Sequence, residues 1–208
     1  MPARTLFALV TVAALLVGVA GWAPPASGRA PAGASAGDVF TVDVAHSTLT
    51  YRVRHFGVSY FHGRINQPSG SFSIDGADPA GGSVHVVAEI RNMDTGNDGR
   101  DRFLTSPDFF NAREFPEAEF RSDSVRALGD GAYEAAGAFT LHGVTRPLTV
   151  RISEYTTLRT ERFGLRAGFE CTFTVRRSDF GMDLFVEEGT LGDEVTITAA
   201  IEGVRQPS

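Results

Sequence analysis

The sequence contains no lysine, one cysteine and one tryptophan, and each shortage narrows what the chain can be. Its 19 basic residues are all arginine, against 25 acidic residues, which gives a formal net charge of −6. The absence of lysine is typical of codon bias and carries little functional weight. An acidic chain repels a nucleic-acid backbone, and no basic stripe with interleaved aromatic residues offsets that repulsion. We therefore expect no nucleic-acid partner.

The lone cysteine and the lone tryptophan are each informative. Cys171 has no second cysteine with which to form an internal disulfide. Because an oxidising compartment disfavours exposed free thiols, we expect Cys171 to be buried and unreactive. Trp22 lies in the N-terminal segment, so the domain that follows should contain no tryptophan.

Motifs of the common enzyme classes are absent as well. The chain has no nucleophile elbow, phosphate loop, dinucleotide fingerprint, paired-cysteine metal site or His-Glu-x-x-His sequence. Its five histidines do not stand at metal-ligand spacings: they are His46, His55, His62, His85 and His142. A general base at His55 or His142 has no partnered nucleophile. The sequence thus predicts neither an enzyme, nor a cofactor, nor a metal site.

The N-terminus is typical of a secretory signal peptide. Arg4 supplies a positive charge, an apolar run covers residues 6–20, and a small, turn-prone segment follows at 22–28. We predict a signal peptide over residues 1–28, with cleavage after residue 36 as the alternative. The apolar run is short for a membrane-spanning helix, and an uncleaved anchor is left open.

The rest of the chain indicates one exported domain. Residues 29–38 are rich in alanine, glycine, proline and serine, which is typical of a flexible linker. Residues 39–205 show no comparable break and no second long apolar run, so they form one predicted domain. We expect this domain to be periplasmic or secreted, without stable membrane insertion. A homodimer is left open.

Alternation of apolar and polar residues is the strongest pattern in this domain. It predicts strands with one buried face and one solvated face, as in antiparallel sheets. The alternating segments are residues 49–55, 72–74, 84–90, 148–152, 165–175 and 195–201. Turn-forming residues separate them, and Asn97–Asp101 is interpreted as a tight polar turn because it lacks the ligand order of a calcium loop. The stretch around 100–110 fits a short helix or an ordered loop better. About eight strands in succession indicate a sandwich or a closed barrel.

Small and large residues alternate on the faces predicted to point inward. The small ones are Ala88, Ala135, Gly137, Ala167 and Ala199. A barrel of this size either fills with side chains or keeps room for one ligand, and the pattern alone leaves both outcomes open. Leucine in place of Ala167 or Gly137 should block a tunnel at little cost in stability. In a filled core it should destabilise the fold by about 1–3 kcal/mol.

A series of short motifs resembles the YceI-like, polyisoprenoid-binding family. They occur in order over roughly residues 40–204: Phe40-Thr-Val-Asp43-Val-Ala-His46-Ser47, Val53-Arg54-His55-Phe-Gly57-Val58-Ser59, Met93-Asp94-Thr95-Gly96-Asn97, Ser106-Pro-Asp-Phe-Phe110, Leu141-His142-Gly143-Val144-Thr145-Arg146-Pro147, Arg177-Ser-Asp-Phe-Gly-Met182 and Gly192-Asp193-Glu194-Val195. Two segments depart from the family pattern. Phe103-Leu104 stands where histidine and leucine are common, and Ile65 replaces an aromatic residue.

The resemblance implies a fold and a ligand. Similar proteins are exported, lipocalin-like barrels that hold an isoprenoid or another long lipid in an internal tunnel, without a metal or established catalytic residues. We therefore predict an all-β fold, a single antiparallel eight-stranded lipocalin-like barrel with a short helix or loop insertion around residues 100–110. We predict a carrier or storage protein for a polyisoprenoid, an isoprenoid quinone or a similar lipid. The alternative is a stress-related structural or interaction module with a filled barrel.

The predicted lipid site has two parts. The tail site comprises the inward residues Leu49, Tyr51, Val53, Phe72, Val86, Phe139, Leu141, Phe169 and Phe173. Arginine and histidine at the barrel mouth suit an anionic or polar head group. The head-group candidates are Arg54, His55, Arg100, His142 and Arg146. Phe109, Phe110 and Phe115 lie outside the regular strands, where they either line a tunnel end or pack beneath a loop.

Overall fold

A computed structural model describes residues 37–76 and 78–206. The predicted signal peptide, and the linker as far as residue 36, lie outside the described residues, so the proposed division of the chain stays a prediction. Within the described residues there are eleven strands and one α-helix, α1 (Asp98–Thr105). The strands are β1 (Phe40–Val42), β2 (Thr48–His55), β3 (Ser59–Asn66), β4 (Ser69–Ser73), β5 (Ser83–Glu89), β6 (Met93–Asp94), β7 (Glu117–Gly129), β8 (Ala132–Leu141), β9 (Val144–Thr160), β10 (Gly164–Arg176) and β11 (Leu191–Arg205).

The strands form a closed antiparallel barrel, as the sequence predicts. Three positions around the barrel are each occupied by two short consecutive strands: β1 with β2, β3 with β4, and β5 with β6. Strands β7 to β11 occupy the other five positions, so the barrel has eight. The ring closes where β11 pairs with β1 at one end, through Phe40–Arg205, and with β2 along most of its length. Closure pairs β1, β4, β5 and β7 to β11 into a continuous ring, and among the described residues β6 pairs with β3 alone.

The two ends of the barrel differ. The connections β2–β3, β8–β9 and β10–β11, together with residues 95–116, lie at one end, which we call the mouth. The connections β7–β8 and β9–β10 lie at the opposite end. There the Phe72 ring stacks on Phe40 at 5.4 Å and meets the Phe169 ring edge-on at 5.0 Å. This aromatic cluster plugs the far end of the barrel with close-packed side chains.

Helix α1 occupies the predicted insertion beside the mouth. The side chain of Asn97 accepts a hydrogen bond from the backbone N–H of Arg100 at 2.9 Å, which caps the first turn. The interpretation of Asn97–Asp101 as a tight polar turn was wrong, because these residues form the cap and the first turn of the helix. No helix within the described ranges has the length and hydropathy needed to cross a membrane.

Candidate functional site

The barrel encloses an apolar cavity of about 350 Å³ that runs from the mouth to the aromatic plug. Its wall is almost entirely carbon, since alternate residues of the surrounding strands turn aliphatic and aromatic side chains inward. Eight of the nine predicted tail residues line it: Leu49, Tyr51, Val53, Val86, Phe139, Leu141, Phe169 and Phe173. The volume falls within the roughly 300–1,000 Å³ typical of small-molecule sites.

Phe72 is the predicted tail residue that does not line the cavity. It points inward as its alternation requires, and its side chain is fully buried (0% exposed) in the plug. Alternation fixes the face on which a residue lies but not its height along the barrel axis. Phe72 lies on β4, close to the far end, where Phe40 and Phe169 fill the lumen.

The small inward residues also lie at different heights. Ala88 and Ala199 line the cavity, whereas Ala167 is buried in the plugged region, where it pairs with Gly203. A Cβ built on Gly137 would lie 2.1 Å from the carbonyl oxygen of Arg121. Gly137 is therefore needed for the close approach of β8 to β7. Leucine at Gly137 or at Ala167 would disturb packing, so it does not report on the cavity, contrary to the expectation from sequence.

Tyr51 places an unpartnered hydroxyl in this apolar wall. Within the described residues its Oη is a buried side-chain oxygen without a hydrogen-bond partner. The ring lies across the neighbouring Gly63, where an added Cβ would come within 2.4 Å of Oη. Burial and the nearby Asp101 carboxylate raise the pKa of Tyr51, so its hydroxyl stays protonated and available as a donor.

Arg177 lines both the cavity and a smaller side pocket, and sequence analysis missed it. The residue is only 3% exposed, and its guanidinium donates to the backbone carbonyls of Gly192, Met182 and Leu191 at 2.7–3.0 Å. Three of its five N–H groups are thus occupied by carbonyls. Desolvation lowers the pKa of Arg177. Periodicity alone gives no reason to bury an arginine. The signal in the sequence that could have identified Arg177 was its position in the family motif at 177–182.

The five predicted head-group residues all lie at the mouth, but only His55 and Arg100 line the cavity. Arg100 is held over the Phe61 ring at 4.3 Å and donates to the hydroxyl and carbonyl oxygens of Thr95. Arg54 lies on the outer face of β2, since it is next in sequence to the inward-facing Val53 and alternation turns it to solvent.

The remaining two head-group candidates lie beside the cavity. His142 lines the side pocket of about 140 Å³, and its Nδ1 lies 3.1 Å from the carbonyl oxygen of Phe180. Arg146 is exposed and donates to the carbonyl oxygen of Asp179. Both residues fasten the β8–β9 connection to the 3₁₀ turn Arg177–Phe180. Neither reaches the cavity lining, so a head-group role for them stays a prediction.

Phenylalanines narrow the mouth. Phe109 and Phe110 line the cavity, as do Phe103 on α1 and Phe185 in the segment 181–190. The Phe103 ring lies 5.9 Å from that of Phe109 and 6.4 Å from that of Phe185. Phe115 instead packs on His142 at 4.7 Å. Each of the two alternatives from sequence therefore holds for different residues. Phe109 and Phe110 line one end of the cavity, and Phe115 packs beneath a loop.

A cluster of ligand-type side chains lies near the far end. Asp43, His46 and Glu202 bring their polar atoms close together. The Nη1 atom of Arg166 lies 2.9 Å from Asp43 Oδ2 and also contacts Glu202. The guanidinium therefore already neutralises these carboxylates, and we interpret the cluster as an ion-pair network that joins β1, β10 and β11.

An antiparallel eight-stranded barrel with a plugged end, a hydrophobic mouth and an apolar cavity defines the class of lipocalin-like barrels. The family follows from the sequence, since the profile of the YceI-like domain matches residues 40–203. The chain belongs to the YceI-like domain family.

Relatives and solved structures agree with this assignment. A UPF0312 protein of Shewanella sp. strain ANA-3 is 37% identical over 178 residues, covering 85% of this chain and 92% of the relative. A UPF0312 protein of Pseudomonas paraeruginosa is 36% identical over 161 residues, covering 77% of this chain and 83% of the relative.

Among solved structures, Burkholderia cenocepacia BcnA superposes with a TM-score of 0.69 at 23% identity, covering 77% of this chain and 98% of that protein. A polyisoprenoid-binding domain from Saccharophagus degradans superposes with a TM-score of 0.61 at 13% identity, covering 80% and 98%. At these identities the two structures establish a shared fold.

Proposed function

We propose that this protein binds one long-chain apolar lipid, a polyisoprenoid, an isoprenoid quinone or a similar molecule, inside the barrel. The observation that carries the proposal is the apolar cavity of about 350 Å³ in the barrel lumen. Burial of apolar surface contributes roughly 25 cal/mol per Å², so an isoprenoid tail needs few polar contacts. The polyisoprenoid-binding domain of Saccharophagus degradans, which shares the fold, supports the same ligand class.

The polar groups on the wall would orient the ligand. Tyr51 has a free hydroxyl, and Arg177 has two N–H groups beyond those bound to carbonyls. Buried polar groups normally find partners, and a ligand carbonyl or hydroxyl would satisfy them. His55 and Arg100 add polar atoms nearer the mouth. We infer that the head group lies toward the mouth and the tail toward the plug.

A binding role fits these residues better than catalysis. Around the cavity, Tyr51 and Arg177 have raised and lowered pKa values respectively, and burial is the first cause of both. Cys171 also lines the cavity, and burial raises the pKa of its thiol to about 12. A thiol with so high a pKa is a poor nucleophile. The alternative module with a filled barrel is disfavoured by the open volume.

We further propose that the protein acts outside the cytoplasm as a carrier or storage protein. The support is the sequence of residues 1–28, which is typical of an export signal. A carrier must release as well as hold its ligand, and the cavity extends to the mouth, where Phe103 and Phe185 line it.

The test compares two alanine-to-leucine variants whose substituted positions lie at different heights along the barrel axis. Ala199→Leu adds volume to the cavity wall, and Ala167→Leu adds the same volume to the plugged region. We expect Ala199→Leu to lower binding of a long-chain polyprenol at least tenfold with little loss of stability. Ala167→Leu should lower the free energy of unfolding by about 1–3 kcal/mol.

Equal polyprenol binding by the wild type and Ala199→Leu would contradict the proposal. So would a large loss of stability in Ala199→Leu, since overpacking of that kind indicates a filled lumen. Binding is measured by titration with a fluorescent polyprenol analogue and stability by urea denaturation.

A further inference from the structure

The β2–β3 hairpin carries the most exposed apolar residues at the mouth. Phe56 and Val58, at its tip, are 61% and 81% exposed. The turn has two central residues, Phe56 and Gly57, both with positive φ, +50° and +68°. Asparagine or glycine is favoured at such positions, and a bulky aromatic residue is strained there. Neither the strained backbone of Phe56 nor the exposure of its ring to solvent stabilises the barrel.

These residues continue into the rim of the cavity. The backbone N–H of Phe56 donates to the carbonyl oxygen of Thr190 at 2.8 Å, and its ring contacts His55 at 4.6 Å. Thr190 and His55 both line the cavity. In the segment 181–190, which this hydrogen bond joins to the hairpin, Leu184 and Phe185 are also exposed. We call Phe56, Val58, Leu184 and Phe185, together with Phe103, the mouth patch.

The hairpin beside this patch is positively charged in an acidic protein. Residues 44–74 contain three arginines and no aspartate or glutamate, although the net charge of the chain is −6. Arg52 and Arg54 lie over the Tyr60 ring at 4.6 and 4.4 Å. In the part of the chain that the structure describes, neither forms an ion pair, whereas Arg64 on the same hairpin pairs with Asp94.

We propose that the mouth patch and the arginines of the β2–β3 hairpin dock the barrel onto an anionic phospholipid surface, with the cavity opening toward the bilayer. Exposed aromatic and aliphatic side chains enter the headgroup region, and arginines beside them bind lipid phosphates. Contiguous apolar surface around a cavity mouth is also what a lipid must cross to enter or leave. The passage of a lipid between the bilayer and the cavity rests on the proposed function, whereas binding of the protein to the membrane does not.

The acidic residues nearby set the orientation. Asp183, Glu187 and Glu188 are exposed on the segment that also carries Leu184 and Phe185. An anionic surface repels them, so the contact is tilted toward the hairpin, whose tip enters first. This favours a membrane over an acidic protein partner, because the exposed tip is apolar and the charged residues of the hairpin are all arginines.

Flotation with lipid vesicles tests the proposal. We expect the protein to bind vesicles of equal parts phosphatidylcholine and phosphatidylglycerol, more weakly as salt is added, and to bind phosphatidylcholine alone poorly. Arg52→Gln with Arg54→Gln should weaken binding by about fivefold for each arginine. Phe56→Ser with Val58→Ser should weaken it at least tenfold, because the apolar contact is lost.

The opposite end of the barrel supplies a matched control. Leu158, near the end of β9, is 63% exposed, and Phe163, in the β9–β10 connection, is 56% exposed and has an arginine over its ring. Leu158→Ser with Phe163→Ser should leave vesicle binding unchanged. The N-terminal apolar run is identical in all variants, so a difference between the hairpin and control variants is due to the patch.

A second readout measures directly whether the tip of the hairpin enters the lipid. Val58→Cys and Leu158→Cys carry a polarity-sensitive dye, and Cys171 is buried and does not compete for it. Vesicles should shift the emission of the dye at position 58 and not at 158. Equal loss of binding in the two serine variants, equal binding to neutral and anionic vesicles, or no shift at position 58 would each overturn the proposal.

The outcomes also separate this proposal from the proposed function. Vesicle binding with no polyprenol binding would leave docking standing and remove the lipid-cavity function. Polyprenol binding without vesicle binding would do the reverse, and would point to a protein that covers the mouth patch.

Discussion

The hydroxyl of Tyr51 tests whether the cavity wall is built for a ligand. We expect Tyr51→Phe to weaken binding of a polar-headed isoprenoid by about three- to tenfold, the worth of one hydrogen bond. The stability of the ligand-free protein should stay equal or rise, because the hydroxyl has no protein partner. The measurement is a binding titration beside urea denaturation.

Tyr155→Phe is the matched control for that change. The Tyr155 hydroxyl donates to the carbonyl oxygen of Ile74 at 2.9 Å, so its loss should destabilise the fold by about 1 kcal/mol and leave binding intact. If both variants lose stability and neither loses affinity, the Tyr51 hydroxyl is structural and the inference about it fails.

At the level of single residues, alternation identified which side chains face the lumen but not what they do there. Eight of nine predicted tail residues line the cavity, and Phe72 instead fills the plug. The difference is one of height along the barrel, which depends on strand stagger and is invisible to a pattern of period two. Arg177 was missed for another reason, since period-two alternation carries no signal for an arginine buried against backbone carbonyls.

Among the elements, the segment 181–190 depends on Arg177. We expect Arg177→Ala to lower the free energy of unfolding by about 2–3 kcal/mol, because it leaves buried carbonyls unsatisfied. Hydrogen exchange should accelerate in residues 181–192. Arg176→Ala removes only the exposed ion pair with Asp193 and should cost less than about 1 kcal/mol. Unchanged exchange in Arg177→Ala would show that other contacts hold this side of the mouth.

The seam between β1 and β11 should be sensitive to acid. Hydrogen bonds from His46 and then Arg166 lower the pKa of Asp43 from 3.8 to about 2. A depressed pKa means that the carboxylate stabilises the fold above about pH 4 and loses that contribution as the pH falls toward 2. Asp43→Asn should therefore cost about 1 kcal/mol near neutral pH, after allowance for solvent screening, and nothing near pH 2.

Urea denaturation of both proteins across this range measures the effect. The two curves of stability against pH should converge as Asp43 is protonated. Parallel curves would show that the network of Asp43, Arg166 and Glu202 does not stabilise the closure of the barrel.

Helix α1 shows a limit of predicting secondary structure from the sequence. The stretch around residues 100–110 was correctly set apart from the strands, yet its polar start was interpreted as a turn. Asparagine, aspartate and glycine favour both helix caps and turns. The structure decides for the cap, because the backbone N–H of Asp101 donates to the carbonyl oxygen of Asn97 and the helix continues to Thr105.

On the scale of the whole molecule, the half-buried strands indicated a sandwich or a closed barrel, and the resemblance to the family favoured the barrel. The cavity could not be derived from the same pattern, since a filled and an open barrel share it. What keeps the lumen open is the placement of large aromatic residues: Phe40 and Phe72 pack together at the far end and leave the volume between the plug and the mouth unfilled.

The most direct test of a lipid in this barrel is mass spectrometry of an organic extract of the protein purified from its native host. The account predicts an isoprenoid, a quinone or another long-chain lipid at about one molecule per protein, and its loss in Ala199→Leu purified in the same way. A wild-type extract without stoichiometric lipid, or the same lipid content in Ala199→Leu, would contradict it.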